Sequence, residues 1–165
     1  TANRIRQVLR EMNIKGKDCK LIRIEETSNK LAVPPHTDAS QGYESVLVPL
    51  FFTGNVHTIL FKSVYLGKGT SKGYKYRPTK NKYYDSEWLS SDDELCTGLS
   101  NKPFTHKKYK PLLSYLPKAD LFGLQIAKII KWKERKAFKF ESNQLHSGSN
   151  FKGKKRWLLI IKKQS

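Results

Sequence analysis

Four histidines punctuate the chain, at positions 36, 57, 106 and 146, and the first stands two residues before an acid. On a strand, residues i and i+2 point to the same face, so His36 and Asp38 present an imidazole and a carboxylate side by side. Two such groups begin a metal site, and a third ligand has to come from another part of the chain. His146 is the best placed: it ends the segment F-K-F-E-S-N-Q-L-H and opens a turn into a final apolar run. Two imidazoles and one carboxylate form a facial triad that leaves positions open, the ligand set of non-haem Fe(II) sites that take O2 and a cosubstrate. Ten residues beyond His146 stands Arg156. Its planar fork suits a bidentate grip on a distal carboxylate.

The elements that must position these groups can be read from apolar periodicity. Residues 4–15 carry Ile5, Val8, Leu9 and Met12 at helical spacing, which predicts a short amphipathic helix stopping near Gly16. From Lys20 the period changes to two, and Leu21 to Glu25 reads as a strand. The runs Ser45–Phe52 and Val56–Val64 are apolar and β-branched, and they flank Thr53-Gly54-Asn55, which predicts a hairpin. Strands are expected again over Leu121–Trp132, Ala137–Phe140 and Arg156–Ile161. Residues 65–118 differ, being rich in Gly, Pro, Tyr and Lys, with an acidic patch from Asp85 to Glu94 and a short helix expected at 86–95. Such a segment is too long for an idle loop and reads as an insertion serving as a lid or a substrate surface. The expectation is a single domain over 1–165, mostly β, with core strands at about 18–64 and 119–163. The simplest such architecture is a two-sheet jelly roll or cupin-like barrel behind a short N-terminal helix.

The order His36-x-Asp38, then His146, then Arg156 resembles the Fe(II)/2-oxoglutarate-dependent dioxygenases, whose double-stranded β-helix carries H-x-D…H and a basic residue some ten positions later. The resemblance spans roughly residues 18–163 and includes the V-P-P-H-T-D entry, the S-V-L-V-P-L-F-F strand and the F-K-F-E-S-N-Q-L-H-S-G approach to the second histidine. It implies Fe(II) held by His36, Asp38 and His146, and 2-oxoglutarate as cosubstrate with its distal carboxylate on Arg156. It implies in turn that O2-dependent decarboxylation of 2-oxoglutarate is coupled to hydroxylation, or oxidative demethylation, of a primary substrate that these residues do not identify. The carboxylate of Asp38 separates this chain from related halogenases, which lack it to make room for chloride. The 65–118 segment has no counterpart in the pattern, and substrate selection in such enzymes tends to reside in segments of that kind.

Charge offers a reading from a different class. Lys and Arg number 32 against 14 acids, a net charge of +18, with a pI near 9.9. That balance favours an anionic partner such as nucleic acid. Only seven of the 32 are Arg, however, and specific readers of phosphate or guanine lean on the Arg fork. Between residues 62 and 84 the lysines interleave with Tyr65, Tyr74, Tyr76, Tyr83 and Tyr84, a pattern that suits single-stranded nucleic acid but equally a solvated lid. The alternative function is therefore a non-catalytic jelly-roll module for an anionic polymer.

Other signals carry less. The stretch Gly148 to Lys155 approaches the phosphate-binding loop pattern but ends in Lys and precedes a strand where a helix is needed. No G-x-S-x-G elbow occurs, which removes the usual serine-hydrolase signature. His57 fits a core or barrel-lining role and His106 an exposed loop. Cys19 and Cys96 are too few for a disulfide framework and read as buried thiols in a reducing, cytoplasmic setting. No run approaches the ~18 apolar residues of a membrane span, so no membrane association is expected.

Overall fold

A computed structural model describes residues 2–11, 13, 15, 19–27, 35–38, 42–66, 96–116, 118–150 and 154–164. Among the described residues one α-helix, α1 (Ala2–Glu11), overlaps the helical spacing but ends at Glu11, short of the stop expected near Gly16, with Asn13 in the left-handed region at φ +53°. Eight strands follow among the described residues: β1 (Cys19–Thr27), β2 (Tyr43–Phe52), β3 (His57–Tyr65), β4 (Cys96–Thr97), β5 (Ile126–Lys131), β6 (Phe138–Glu141), β7 (Gln144–Gly148) and β8 (Arg156–Gln164). The protein is mostly β, as expected, and builds two antiparallel sheets.

The first sheet has the order β1-β8-β2-β6. The second centres on β3, which pairs with β5 and β4 and also with β7. His36 adds an isolated antiparallel bridge to His146 on β7. β1 and β2 belong to the first sheet and β3, β4 and β5 to the second, and from β5 to β8 successive strands alternate between the sheets. Leu47, Leu158, Ile160 and Phe140 from the first sheet meet Leu60 and Trp132 from the second in one buried cluster. Each large side chain buried there contributes roughly 1.5–3 kcal/mol.

The continuous apolar run of β8 follows from burial on both faces. Leu158 and Ile160 face the second sheet, while Leu159 and Ile161 pack with Val46, Val48 and Val8 of α1 on the other side. The run expected to be wholly buried has one exception, because Trp157 is 48% exposed.

Two further expectations are corrected. β2 and β3 do not form a hairpin: β2 pairs with β8 and β6, and β3 belongs to the other sheet. The Thr53–Val56 connection crosses between sheets, because both strands are apolar on both faces and each needs cover front and back. The strand expected over Leu121–Trp132 is confined to Ile126–Lys131. Upstream, Leu121 ends a 3-10 turn and Gly123 adopts φ +80°, a left-handed conformation that interrupts extended chain.

Of the 65–118 insertion, the described residues 96–116 lie against the outer face of the second sheet. Phe104, Leu112, Leu113 and Leu116 pack with Ile59, Phe61 and Leu145. The helix expected at 86–95 and the Lys–Tyr stretch from 68 to 84 lie outside the described residues.

This packing has a direct test. Leu113 is fully buried, so Leu113→Ala should lower stability by about 2–5 kcal/mol in urea unfolding. Gly123→Ala should also destabilise, since a Cβ there would lie 2.6 Å from the Ser100 carbonyl oxygen. An unchanged midpoint in both variants would show that the segment is not docked on the sheet.

Candidate metal centre

The two histidines are brought together by backbone, not by their rings. The His36 amide donates to the His146 carbonyl at 2.9 Å, and the His146 amide donates back to the His36 carbonyl at 2.9 Å. A reciprocal pair of this kind sets two residues directly opposite each other with side chains on one face. The rings accordingly sit with centroids 4.4 Å apart. Two residues on, the Asp38 amide donates to the Ser142 carbonyl at 2.8 Å, which continues the segment along the start of β7. Asp38 therefore shares the face of His36, as the i, i+2 spacing predicts.

The carboxylate lies between the imidazoles. One oxygen, Oδ1, is 3.9 Å from His36 Nε2 and the other, Oδ2, is 3.7 Å from His146 Nε2. One potential ligand atom from each residue lies within 4.8 Å of the others. Metal bonds of about 2.0–2.2 Å to nitrogen and oxygen set neighbouring ligands about 3 Å apart, so a small adjustment brings this set to ligation distance. The group can hold a metal ion, and its nitrogen and oxygen donors suit a first-row divalent cation.

Two of the three ligands, His146 and Asp38, are oriented from behind. His146 Nδ1 lies 3.0 Å from the Gln144 carbonyl oxygen. Donating there leaves its Nε2 lone pair facing Asp38, the usual device for fixing a ligand tautomer. Ser45 Oγ donates to Asp38 Oδ2 at 2.7 Å and lies 2.8 Å from Ser142 Oγ, so a short hydroxyl chain fixes the carboxylate. Lys162 Nζ donates to the Asp38 carbonyl. Burial pushes the Asp38 carboxyl up, but the imidazoles of His146 and His36, the Ser45 hydroxyl and the Lys162 ammonium outweigh it and hold the carboxyl below its ordinary value.

His36, Asp38 and His146 line one cavity together with Arg156, Thr58, Trp132 and the apolar Leu47, Leu158 and Ile160. The cavity measures about 110 Å³, far above the roughly 10–15 Å³ that a single water needs. Arg156 is buried, and its guanidinium carbon stands 5.7 Å from the Trp132 ring centroid. Trp132 Nε1 donates to Thr58 Oγ1 at 2.8 Å, which leaves the Thr58 hydroxyl proton available to an acceptor in the cavity. All four residues singled out in the sequence thus share one site.

Thr58, Trp132, Ser45 and Ser142 were not legible as site residues. Thr58 alone had a signal: it alternates with His57 on β3, so one of the two has to face inward. His57 itself does not line the cavity. Its amide donates to Ser149 Oγ at 3.0 Å, and burial with Lys131, Lys154 and Lys108 pushes its imidazole pKa down. His106 sits in a turn where its Nδ1 accepts from the Lys108 amide at 3.1 Å. Cys96 is half-buried and forms no disulfide.

Comparison of the chain with protein-family models, curated proteins and solved structures finds no match in any of the three.

Two expectations follow from the supports of the site. Ser45→Ala should weaken divalent-metal binding about 10–100-fold by calorimetric titration, because it removes the hydroxyl that orients Asp38. Unaltered affinity in a folded variant would mean that the serine pair does not position the ligand. A depressed carboxyl stabilises the fold above its unfolded value of 3.8, and that contribution is lost as pH falls through the lower folded value. Asp38→Asn should therefore lower metal-free stability at about pH 7, and the gap to wild type should narrow as pH falls below 3.8. A gap that keeps its size on acidification would show that Asp38 is not held ionised.

Proposed function

We propose that the chain is a non-haem iron oxygenase that couples decarboxylation of 2-oxoglutarate to hydroxylation, or oxidative demethylation, of a further substrate. The observation that carries this reading is the convergence of His36, Asp38 and His146 with the buried Arg156 in one cavity. Strand alternation between the sheets, with β8 between β1 and β2 and β7 beside β3, supports a double-stranded β-helix.

Fe(II), when bound, supplies the redox centre for activating O2 and a pair of positions for the 2-oxo acid. The balanced reaction converts 2-oxoglutarate, O2 and a C–H bond into succinate, CO2 and a C–OH group. His36, Asp38 and His146 would hold the ion. His146, whose Nδ1 lies 3.0 Å from the Gln144 carbonyl oxygen, keeps Nε2 turned toward the ligand set.

Arg156 supplies the counter-charge for the distal carboxylate of 2-oxoglutarate, and the Thr58 hydroxyl can donate to the same group. Both charges would be removed from bulk water, which strengthens the pair and fixes the orientation of the acid. Trp132 braces both partners, through its ring beneath Arg156 and its Nε1–H on Thr58. Leu47, Leu158 and Ile160 line the same cavity. They keep it poor in water, which limits side reactions.

The deciding experiment is anaerobic titration of metal-free protein with Fe(II) and then 2-oxoglutarate, following the weak visible charge-transfer band of the chelated 2-oxo acid. One equivalent of each should give the band. His146→Ala should abolish it, and Arg156→Ala should raise the 2-oxoglutarate concentration required by at least roughly 30-fold. Absence of the band with iron bound would remove 2-oxoglutarate from the reaction, and failure to bind iron would remove the oxygenase reading altogether.

A further inference from the structure

Two of the three large apolar side chains exposed among the described residues lie side by side. Phe51 is 41% and Trp157 is 48% exposed. They are register partners on β2 and β8, with ring centroids 6.1 Å apart in an edge-on arrangement. Trp157 alternates with the inward-facing Leu158, which puts the pair on the outer face of the first sheet. A register shift between Pro49 and Phe51 lets Phe51 share that face. Neither ring is part of the core that α1 covers. Beyond their contact with each other, the two rings leave a paired apolar patch in water, the kind of surface a partner can cover.

The surroundings of the pair indicate what fits it. The turn after β5 carries Lys133, Arg135 and Lys136, all exposed, and is tied to β2 by the Arg135 amide donating to the Pro49 carbonyl at 2.7 Å. The exposed Lys155 lies two residues before Trp157 and is tied to the Thr53 loop, its amide donating to Thr53 Oγ1 at 2.9 Å. Lys154 is committed within the fold, with Nζ donating to the Asn55 carbonyl at 2.6 Å. Against these cations stands Glu134 in the same turn. This end of the molecule is therefore basic, in a chain of net charge +18.

Rings that offer π-faces, set beside cations that track a phosphate backbone, are the elements of a sequence-tolerant single-strand surface. A duplex hides its base faces and could use only the cations. An acidic peptide likewise has no rings in register to stack. We propose that Phe51 and Trp157, with Lys133, Arg135, Lys136 and Lys155, form a binding surface for single-stranded nucleic acid.

The surface needs no metal and stands apart from the reaction above. It lies on the outer face of the first sheet, whereas Arg156 and Trp132, the chain neighbours of Trp157 and Lys133, turn to the cavity between the sheets.

The test is fluorescence anisotropy with a labelled oligothymidylate of about 20 nucleotides, longer than the site of a single such surface, in chelator-containing buffer. Wild type and His146→Ala should bind alike, with affinity falling as salt rises. Trp157→Ala and Phe51→Ala should each weaken binding about tenfold or more at an unchanged salt slope, and Trp157→Phe should restore most of it. Lys133→Glu with Lys136→Glu should reduce the slope itself. The proposal is overturned if the ring variants bind as wild type, if a duplex of equal length binds as tightly, or if polyglutamate competes as well as the oligonucleotide. Loss of binding in His146→Ala would instead assign the strand to the metal cavity and overturn a separate surface.

Discussion

The reciprocal pair of backbone hydrogen bonds between His36 and His146 is the constraint on which the site depends. It joins a short segment to β7 at a single bridge and aligns two imidazoles without any contribution from the rings themselves. Because the alignment is made by amides, either ring can be altered without moving its partner's backbone. The same bridge decides where Asp38 falls, since the next inward side chain on an extended segment is two residues along. Three ligand atoms therefore follow from one pairing event.

That pairing would be insufficient without the opposite sheet. Ser45 comes from β2 in the first sheet, Ser142 from the turn between β6 and β7, and both act on the carboxylate carried by the His36 segment. Asp38 is thus fixed from across the sandwich. A cation bound there would link the two sheets through the carboxylate and its hydroxyl chain. Anything that binds the folded chain alone adds stability by mass action, about 2.7 kcal/mol at a hundredfold excess over Kd. The same residues would then serve chemistry and cohesion together.

Much of this was legible in residue types and spacing, and the omissions have physical causes. The i, i+2 relation of His36 and Asp38 needed only a strand. The distant His146 and Arg156 needed a pattern in chain order, and the cavity brings all four together. The separation of β2 from β3 was hidden because two runs with apolar residues on both faces satisfy a hairpin and a sheet crossing equally well. Local pattern reports that a strand is buried on both sides, not by which neighbours. Ser45 and Ser142 were invisible for a related reason. A serine in an apolar strand shows its purpose only when the carboxylate it serves, 7 residues from Ser45, folds back on it. Trp157 misled because apolar type alone does not distinguish a side chain for the core from one for a partner.

The place of β8 in the first sheet bears on how the chain is made. It lies between β1 and β2, so the earliest strand has no neighbour in its sheet until the latest one has emerged. Through synthesis, β1 and the adjoining edge of β2 present unsatisfied backbone groups. Those edges are templates for misassembly with other chains, and the wait is longest for the most separated partners. Interruption of translation before β8 would leave the inner apolar face of β2 without Leu158 and Ile160, and Arg156 absent from the cavity. The first sheet closes at its own centre, so a nascent chain that stalls before β8 lacks not an edge but the middle of its sheet.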